Sequence, residues 1–225
     1  PILAFNDFHG HLEKDDLSVS LKTGTSKGSG WVPAGGAGYL AAKINAARKA
    51  NPASVVVSAG DMIGGSPMIS GYYHDESTIE AMNKIVDVAT VGNHEFDEGT
   101  DELRRLVNGG CHPVDGCQDR TGYDGVKFDL LAANVIVKKT GRSILPPYVI
   151  KNVGGAKIGF IGTTTVDTPR LVDRKGVTDV SFKNEAATIS MLVPQVRAAG
   201  ADAVVVLTHS GAAQTPAARR TAART

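Results

Sequence analysis

Short apolar runs that stop on polar residues constrain this sequence more than any other feature. Ile2 to Phe5 runs into Asn6-Asp7, Val55 to Val57 into Ser58-Ala59-Gly60-Asp61, and Val86 to Val91 into Gly92-Asn93-His94. Leu130 to Val137 contains Asn134, Ile158 to Ile161 runs into Gly162-Thr163-Thr164, and Val204 to Leu207 into Thr208-His209-Ser210. Runs this short, rich in Val and Ile and nearly continuous, predict strands buried on both faces.

Helical patterns fall between several of them. Tyr39 to Ala50 puts Leu40, Ile44 and Ala47 on one stripe and stops at Asn51-Pro52. Ser77 to Ile85 has an N-cap candidate in Asp75 or Ser77, and Thr100 to Val107 starts acidic and turns basic, as the helix dipole favours. Glu185 to Ala199 is amphipathic, with Pro194 as a point where it would kink or split. Strands alternating with helices predict an α/β fold. Lys14 to Gly38 and Gly109 to Lys127 read as loops. Gly35-Gly36-Ala37-Gly38 lacks both a strand leading into it and a following Lys-Ser/Thr pair, so it is not a nucleotide P-loop.

Composition narrows the class. The chain has 225 residues, 42% of them hydrophobic, enough for one sizeable core. A net charge of +1 gives no global attraction to nucleic-acid polymers, and no apolar run approaches the ~20 residues of a membrane span. Cys111 and Cys117 flank a turn-forming segment, HPVDG. They read as a loop disulfide, with free thiols or a zinc site as the other readings; a disulfide implies an oxidising compartment. His74 and His112 lie in polar stretches and read as solvated.

The chemistry sits at the strand ends. Asp7 and His9 are two apart, on one face of an extended segment. Asp61, then Asn93-His94 with Asp97 three further on, then His209, follow other strands. Alone, an Asp or Asn there is usually a turn or cap residue, and a lone His is usually structural. As a set they deliver carboxylate, imidazole and amide oxygen to the carboxyl ends of strands, where α/β folds build sites, and these groups suit divalent transition metals.

NDFHGHL, SAGDMIGGS, GNHEFD and LTHSG, in that order, resemble the calcineurin-like metallophosphoesterase superfamily, in its 5′-nucleotidase and 2′,3′-cyclic phosphodiesterase branch. LLAANV and AKIGFIGTTTVDTP are similar to the same branch, and the cysteine loop resembles secreted actinobacterial members. The resemblance implies a four-layer α-β-β-α sandwich and two divalent metal ions, zinc, manganese or similar. Asp7 and His9 would bind the first, Asp61 would bridge, and Asn93 and His209 would bind the second. His94 would stabilise charge at the phosphate, oriented by Asp97. A metal-bound hydroxide would attack phosphorus in a nucleoside 5′-monophosphate or 2′,3′-cyclic nucleotide. Secretion to the envelope or medium is also implied. His11 reads as a lining or structural residue, and Asn134 as a tie between strand ends.

The family carries a further Gly-His-Thr-His-like segment beyond the His209 strand, and a C-terminal domain that binds the substrate base. No histidine follows His209 here. The expectation is a partial metallophosphatase domain over 1–211, cut from a longer protein at both ends, with a low-complexity basic tail over 212–225, disordered or aberrant. A truncated, weakly active or inactive metal-binding domain is the alternative function, and a sulfate-thiol hydrolase of the same superfamily a lower one.

Overall fold

The computed structural model describes residues 1–14, 18–22, 29–118 and 122–211. In chain order the strands and helices are β1 (Ile2–Phe5), β2 (Ser18–Lys22), β3 (Ser29–Pro33), α1 (Ala37–Ala50), β4 (Val55–Ser58), α2 (Met68–Gly71), α3 (Glu76–Met82), β5 (Val88–Thr90) and α4 (Gly99–Asn108). There follow β6 (Asp129–Leu131), β7 (Val135–Val137), β8 (Tyr148–Val153), β9 (Ala156–Thr164), α5 (Thr168–Leu171), β10 (Val180–Phe182), α6 (Glu185–Ala198) and β11 (Ala203–His209).

The Val-rich runs pair side by side. One sheet has the order β1-β4-β5-β6, all parallel; the second has the order β11-β9-β8, with β11 parallel and β8 antiparallel to β9. Alternation along each strand sends neighbouring side chains to opposite faces. Val56 and Ala89 meet Ile44 of α1, Met82 of α3 and Leu103 of α4. Val55, Val57, Val88 and Leu131 face the other way and meet Phe160 and Leu207 of the second sheet. Ile161, the neighbour of Phe160, packs against Leu192 and Val196 of α6. Three apolar seams therefore separate four layers, helix, sheet, sheet, helix. Each fully buried Val or Leu contributes about 1.5–3 kcal/mol against exposure.

The strand predictions hold in kind and change in extent. The run Val86–Val91 is a strand only over Val88–Thr90. Leu130–Val137 is two strands, because Asn134 turns between them. The Asn134 amide donates to the carbonyl oxygens of Thr164 and Lys183 and accepts from the Thr164 N–H, tying strand ends as read from the sequence. The stretch Lys14–Gly38 is not only loop: β2 and β3 pair antiparallel within it, a hairpin that its Gly, Ser and Lys content hides. Helix α6 runs unbroken through Pro194, since Leu192 and Val196 anchor it to the second sheet on either side. Asp75 takes the N-cap position of α3 without capping it; its carboxylate turns back to accept from Gly64 N–H and Ser70 Oγ–H.

The cysteine loop is closed by a Cys111–Cys117 disulfide, and His112 and Gly116 pair across it. His74 and His112 are not solvated. Their side chains are 16% and 14% exposed, and the rings stack at 3.8 Å, because the disulfide folds one loop onto the other. The tail reading over 212–225 falls outside the described residues.

Candidate metal centre

The site forms where the parallel strands of the first sheet end together. After β1 and β4 the chains stay paired: Asp7 N–H donates to Gly60 O at 3.0 Å and His9 N–H to Asp61 O at 3.1 Å. Asp7, His9 and Asp61 all have positive φ (53°, 47° and 52°), a region L-residues seldom occupy and one that concentrates at functional sites. Gly92, after β5, lets the loops close: a Cβ there would lie 2.1 Å from Asp61 Oδ1. Asn93 follows, half-buried, heading the 3-10 turn His94–Phe96. His209 arrives from the second sheet, at the end of β11.

Asp61 is the hub. It is 3% exposed. Its Oδ1 accepts the His94 N–H at 2.9 Å, and its Oδ2 lies 2.9 Å from His209 Nε2 and 3.8 Å from His9 Nε2. His9 Nε2 is in turn 3.7 Å from Asp7 Oδ1. Ligand atoms of Asp7, Asp61 and His209 lie within 4.8 Å of one another, as do those of His9, Asp61 and His94. Asp61 belongs to both groups. Asp7 thus stands with His209 as well as with His9, a closer mingling of the two sequence-predicted ligand sets than their order along the chain indicates.

The imidazoles share one orientation. His9 donates Nδ1–H to Gly64 O at 2.7 Å, His209 to Ala59 O at 2.9 Å, and His94 to Asp97 Oδ2 at 2.8 Å. A carbonyl or carboxylate oxygen only accepts, so each Nδ1 carries the hydrogen. In each neutral ring that leaves Nε2 with a free lone pair, the arrangement that second partners impose on metal-ligating histidines.

Without a cation this convergence is electrostatically coupled. Burial alone pushes the Asp61 carboxyl up, but hydrogen bonds from His209 and the His94 amide hold it below its ordinary range. The hydrogen bond to Asp61 raises His209 to about 9, against the opposing effect of burial. Burial opposes a charge on His94 too, yet the Asp97 hydrogen bond and charge raise it. The groups that converge are three imidazoles and two carboxylates. Once the proton is displaced, imidazole Nε2 atoms and carboxylate oxygens suit borderline divalent cations.

One residue of the centre goes unread in the sequence. Glu95 is buried at 4% exposure and accepts the backbone N–H groups of Asp61, Met62 and Gly92, so it shapes the loop that carries Asp61. Burial, with the nearby charge of Asp61, pushes its carboxyl up to about 7 against the pull of those amides. The Asp61 amide is 34 positions away in the chain, so no local pattern announces the contact; the only signal is a charged residue enclosed in GNHEFD.

Residues 1–223 match the family described as calcineurin-like phosphoesterase. The chain is 40% identical over 214 residues to "Endonuclease YhcR" of Bacillus subtilis, covering 95% of this chain and 17% of that protein. It is 32% identical over 216 residues to "NAD 5'-nucleotidase" of Haemophilus influenzae, covering 93% of this chain and 32% of that protein. The crystal structure of a 5'-nucleotidase precursor from Thermus thermophilus superposes with a TM-score of 0.75 at 25% identity, over 93% of this chain and 37% of that one.

Proposed function

This chain belongs to the calcineurin-like phosphoesterase family, and we propose from that premise that it carries a metal-dependent phosphoester hydrolase site for nucleoside 5′-monophosphates and 2′,3′-cyclic nucleotides. The observation that carries the reading is that Asp61 stands at once with Asp7 and His209 and with His9, whose Nε2 lies 3.8 Å from Asp61 Oδ2. A carboxylate in that position suits a bridge between two cations.

In this reading Asp7, His9, Asp61, Asn93 and His209 hold two divalent metals, with zinc or manganese fitting the donors. Bound metals supply Lewis acidity toward phosphate oxygens and lower the pKa of water. His94 is reserved for substrate. Its Nδ1–H is held by Asp97, which fixes the tautomer and favours the charged ring, so Nε2 can carry a proton toward a phosphoryl oxygen as negative charge grows there. Asp97 is a positioning residue. Gly64 supports both sides: its carbonyl orients His9, and a Cβ on it would lie 2.7 Å from Asp97 Oδ2 and from His94. The Cys111–Cys117 disulfide supports a setting in the cell envelope or outside the cell.

The test is a substrate panel with manganese or zinc added: nucleoside 5′-monophosphates, 2′,3′-cyclic nucleotides, an aryl phosphate and a DNA or RNA oligonucleotide. Chelator-sensitive phosphate release from the small nucleotides supports the proposal. Cleavage of the oligonucleotide alone would move the substrate class to polymers, and no turnover with metal bound would refute it.

A further inference from the structure

Two carboxylates share the amides of the loop between β4 and α2. Glu95 accepts the N–H groups of Asp61 and Met62, and Asp75 Oδ2 accepts that of Gly64 at 3.2 Å. Gly64 turns its carbonyl to the centre, where it accepts the His9 Nδ1–H at 2.7 Å. The fit around this backbone is close. A Cβ on Gly64 would lie 2.7 Å from His94 Cβ and from Asp97 Oδ2, and one on Gly65 3.9 Å from both His9 Nδ1 and His94 Cε1. Gly64-Gly65 therefore forms a wedge against His9 and His94, whose rings meet edge to face at 4.9 Å.

Asp75 serves this wedge and not its own helix. An aspartate at an N-cap ordinarily has extended backbone and accepts an amide of the first turn. Asp75 stands at that position of α3 with φ 59° and ψ 10°, and its carboxylate caps nothing. The Thr78 and Ile79 N–H groups go to its backbone carbonyl instead. A left-handed non-glycine residue persists where its surroundings over-determine it.

Buried hydroxyls supply that determination. Ser70 Oγ–H donates to Asp75 Oδ1 at 2.5 Å. Ser70 has one hydroxyl hydrogen, so in its 2.6 Å contact with Thr78 Oγ1 it is Thr78 that donates. Both hydroxyl residues are fully buried. Ser70 also bears on the segment that carries His9, since a Cβ on Gly10 would lie 2.8 Å from Ser70 Cβ. A chain of hydrogen bonds thus runs from Thr78 through Ser70 and Asp75 to Gly64, whose carbonyl holds His9.

We propose that Asp75 is a positioning residue of the metal centre. By holding the Gly64 N–H it fixes the carbonyl that aims His9 Nε2, and it keeps the wedge seated against His94. The inference rests on the reading of Asp7, His9 and Asp61 as metal ligands. Loss of a group that orients a ligating imidazole costs about 10–100-fold in metal affinity.

Two variants of the full chain test this. Asp75→Ala removes the acceptor, while Asp75→Asn keeps an oxygen for the Gly64 N–H and turns its NH2 to Ser70. In zinc titrations against a competing chelator, Asp75→Ala is expected to weaken, by about tenfold or more, the step that His9→Ala also weakens. Asp75→Asn is expected to recover most of that loss. Proton–nitrogen NMR of the chelated protein reads the geometry directly. The His9 Nδ1–H resonance is expected in wild type and Asp75→Asn and lost in Asp75→Ala, while that of His209, held by the Ala59 carbonyl, stays in all three. Wild-type zinc affinity with the His9 resonance intact in Asp75→Ala overturns the proposal. So does loss of both resonances together, which marks a general structural role, and so does failure of Asp75→Asn to recover the step. A wild-type chain that binds zinc but releases no phosphate counts against the proposed function alone. If it binds no zinc, the function fails too, and the His9 resonance still decides the role of Asp75.

Discussion

His209 Nε2 lies 2.9 Å from Asp61 Oδ2, joining the end of the last described strand to the loop after β4. This contact pins the second sheet to the first at the centre, and it is held on the other side of the ring by the Ala59 carbonyl.

That pair gives the metal-free chain a pH dependence. Asp61 raises His209 from an ordinary 6.5 to about 9. A folded value above the unfolded one contributes stability that is complete below 6.5 and lost as pH rises through about 9. The melting temperature of chelator-treated protein is therefore expected to fall across that window, and the His209→Gln variant to lack this fall. Adding divalent metal should restore wild type at the upper end, where the proton no longer competes. Thermal unfolding followed by circular dichroism over pH checks it.

Removing Asp97 should act on His94. The Asp97 carboxylate holds His94 charged to higher pH than an ordinary imidazole, despite burial. With Asp97→Asn the basic limb of the kcat/KM profile is expected to move to lower pH, and kcat to fall by about one to two orders of magnitude. His94→Ala is expected to cost more, about 10²–10⁴ in kcat. Metal content should change little in either variant; if His94→Ala strips the metal, His94 is a ligand and its assigned role is wrong.

Glu95 should matter for stability before chemistry. Glu95→Gln replaces one acceptor oxygen by a donor, leaving a backbone N–H among those of Asp61, Met62 and Gly92 unpaired in a buried loop. A loss of about 1–3 kcal/mol is expected in urea titrations, with weaker metal binding because Asp61 is displaced. Unchanged stability would show that the three amides find other acceptors.

The fourth place to probe is structural. Arg105 is 9% exposed and pairs with Glu76 of α3 and Glu102 of α4, each at 2.6 Å, while also donating to the Gly110 carbonyl at the base of the cysteine loop. Arg105→Leu leaves two buried carboxylates without their cation. Destabilisation of about 3–5 kcal/mol is expected, measured by chemical denaturation. A drop below 1 kcal/mol would mean the carboxylates escape to water or protonate without penalty.

Much of the fold was legible because burial on both faces leaves a plain mark in the sequence: Val55-Val56-Val57 reads as a strand between two apolar seams, and is one. The failures follow the same logic. The β2–β3 hairpin is written in Gly, Ser and Lys, and the break at Asn134 depends on partners in β9 and after β10. His74 and His112 looked solvated because each is polar in its own segment; the disulfide and the α2–α3 turn stack them.

By itself the sequence placed its candidate site residues at strand ends, and a parallel strand order brings the ends of the first sheet to one edge. Only the tertiary structure decided how they are shared. Asp61 stands between the Asp7–His209 pair and His9, His9 and His209 turn their Nε2 atoms toward it, and Glu95 shapes the loop beneath. Except for the His94–Asp97 pair, three residues apart, these rest on hydrogen bonds between segments far apart in the chain, and the direction of such a bond is set by packing, which no local pattern encodes.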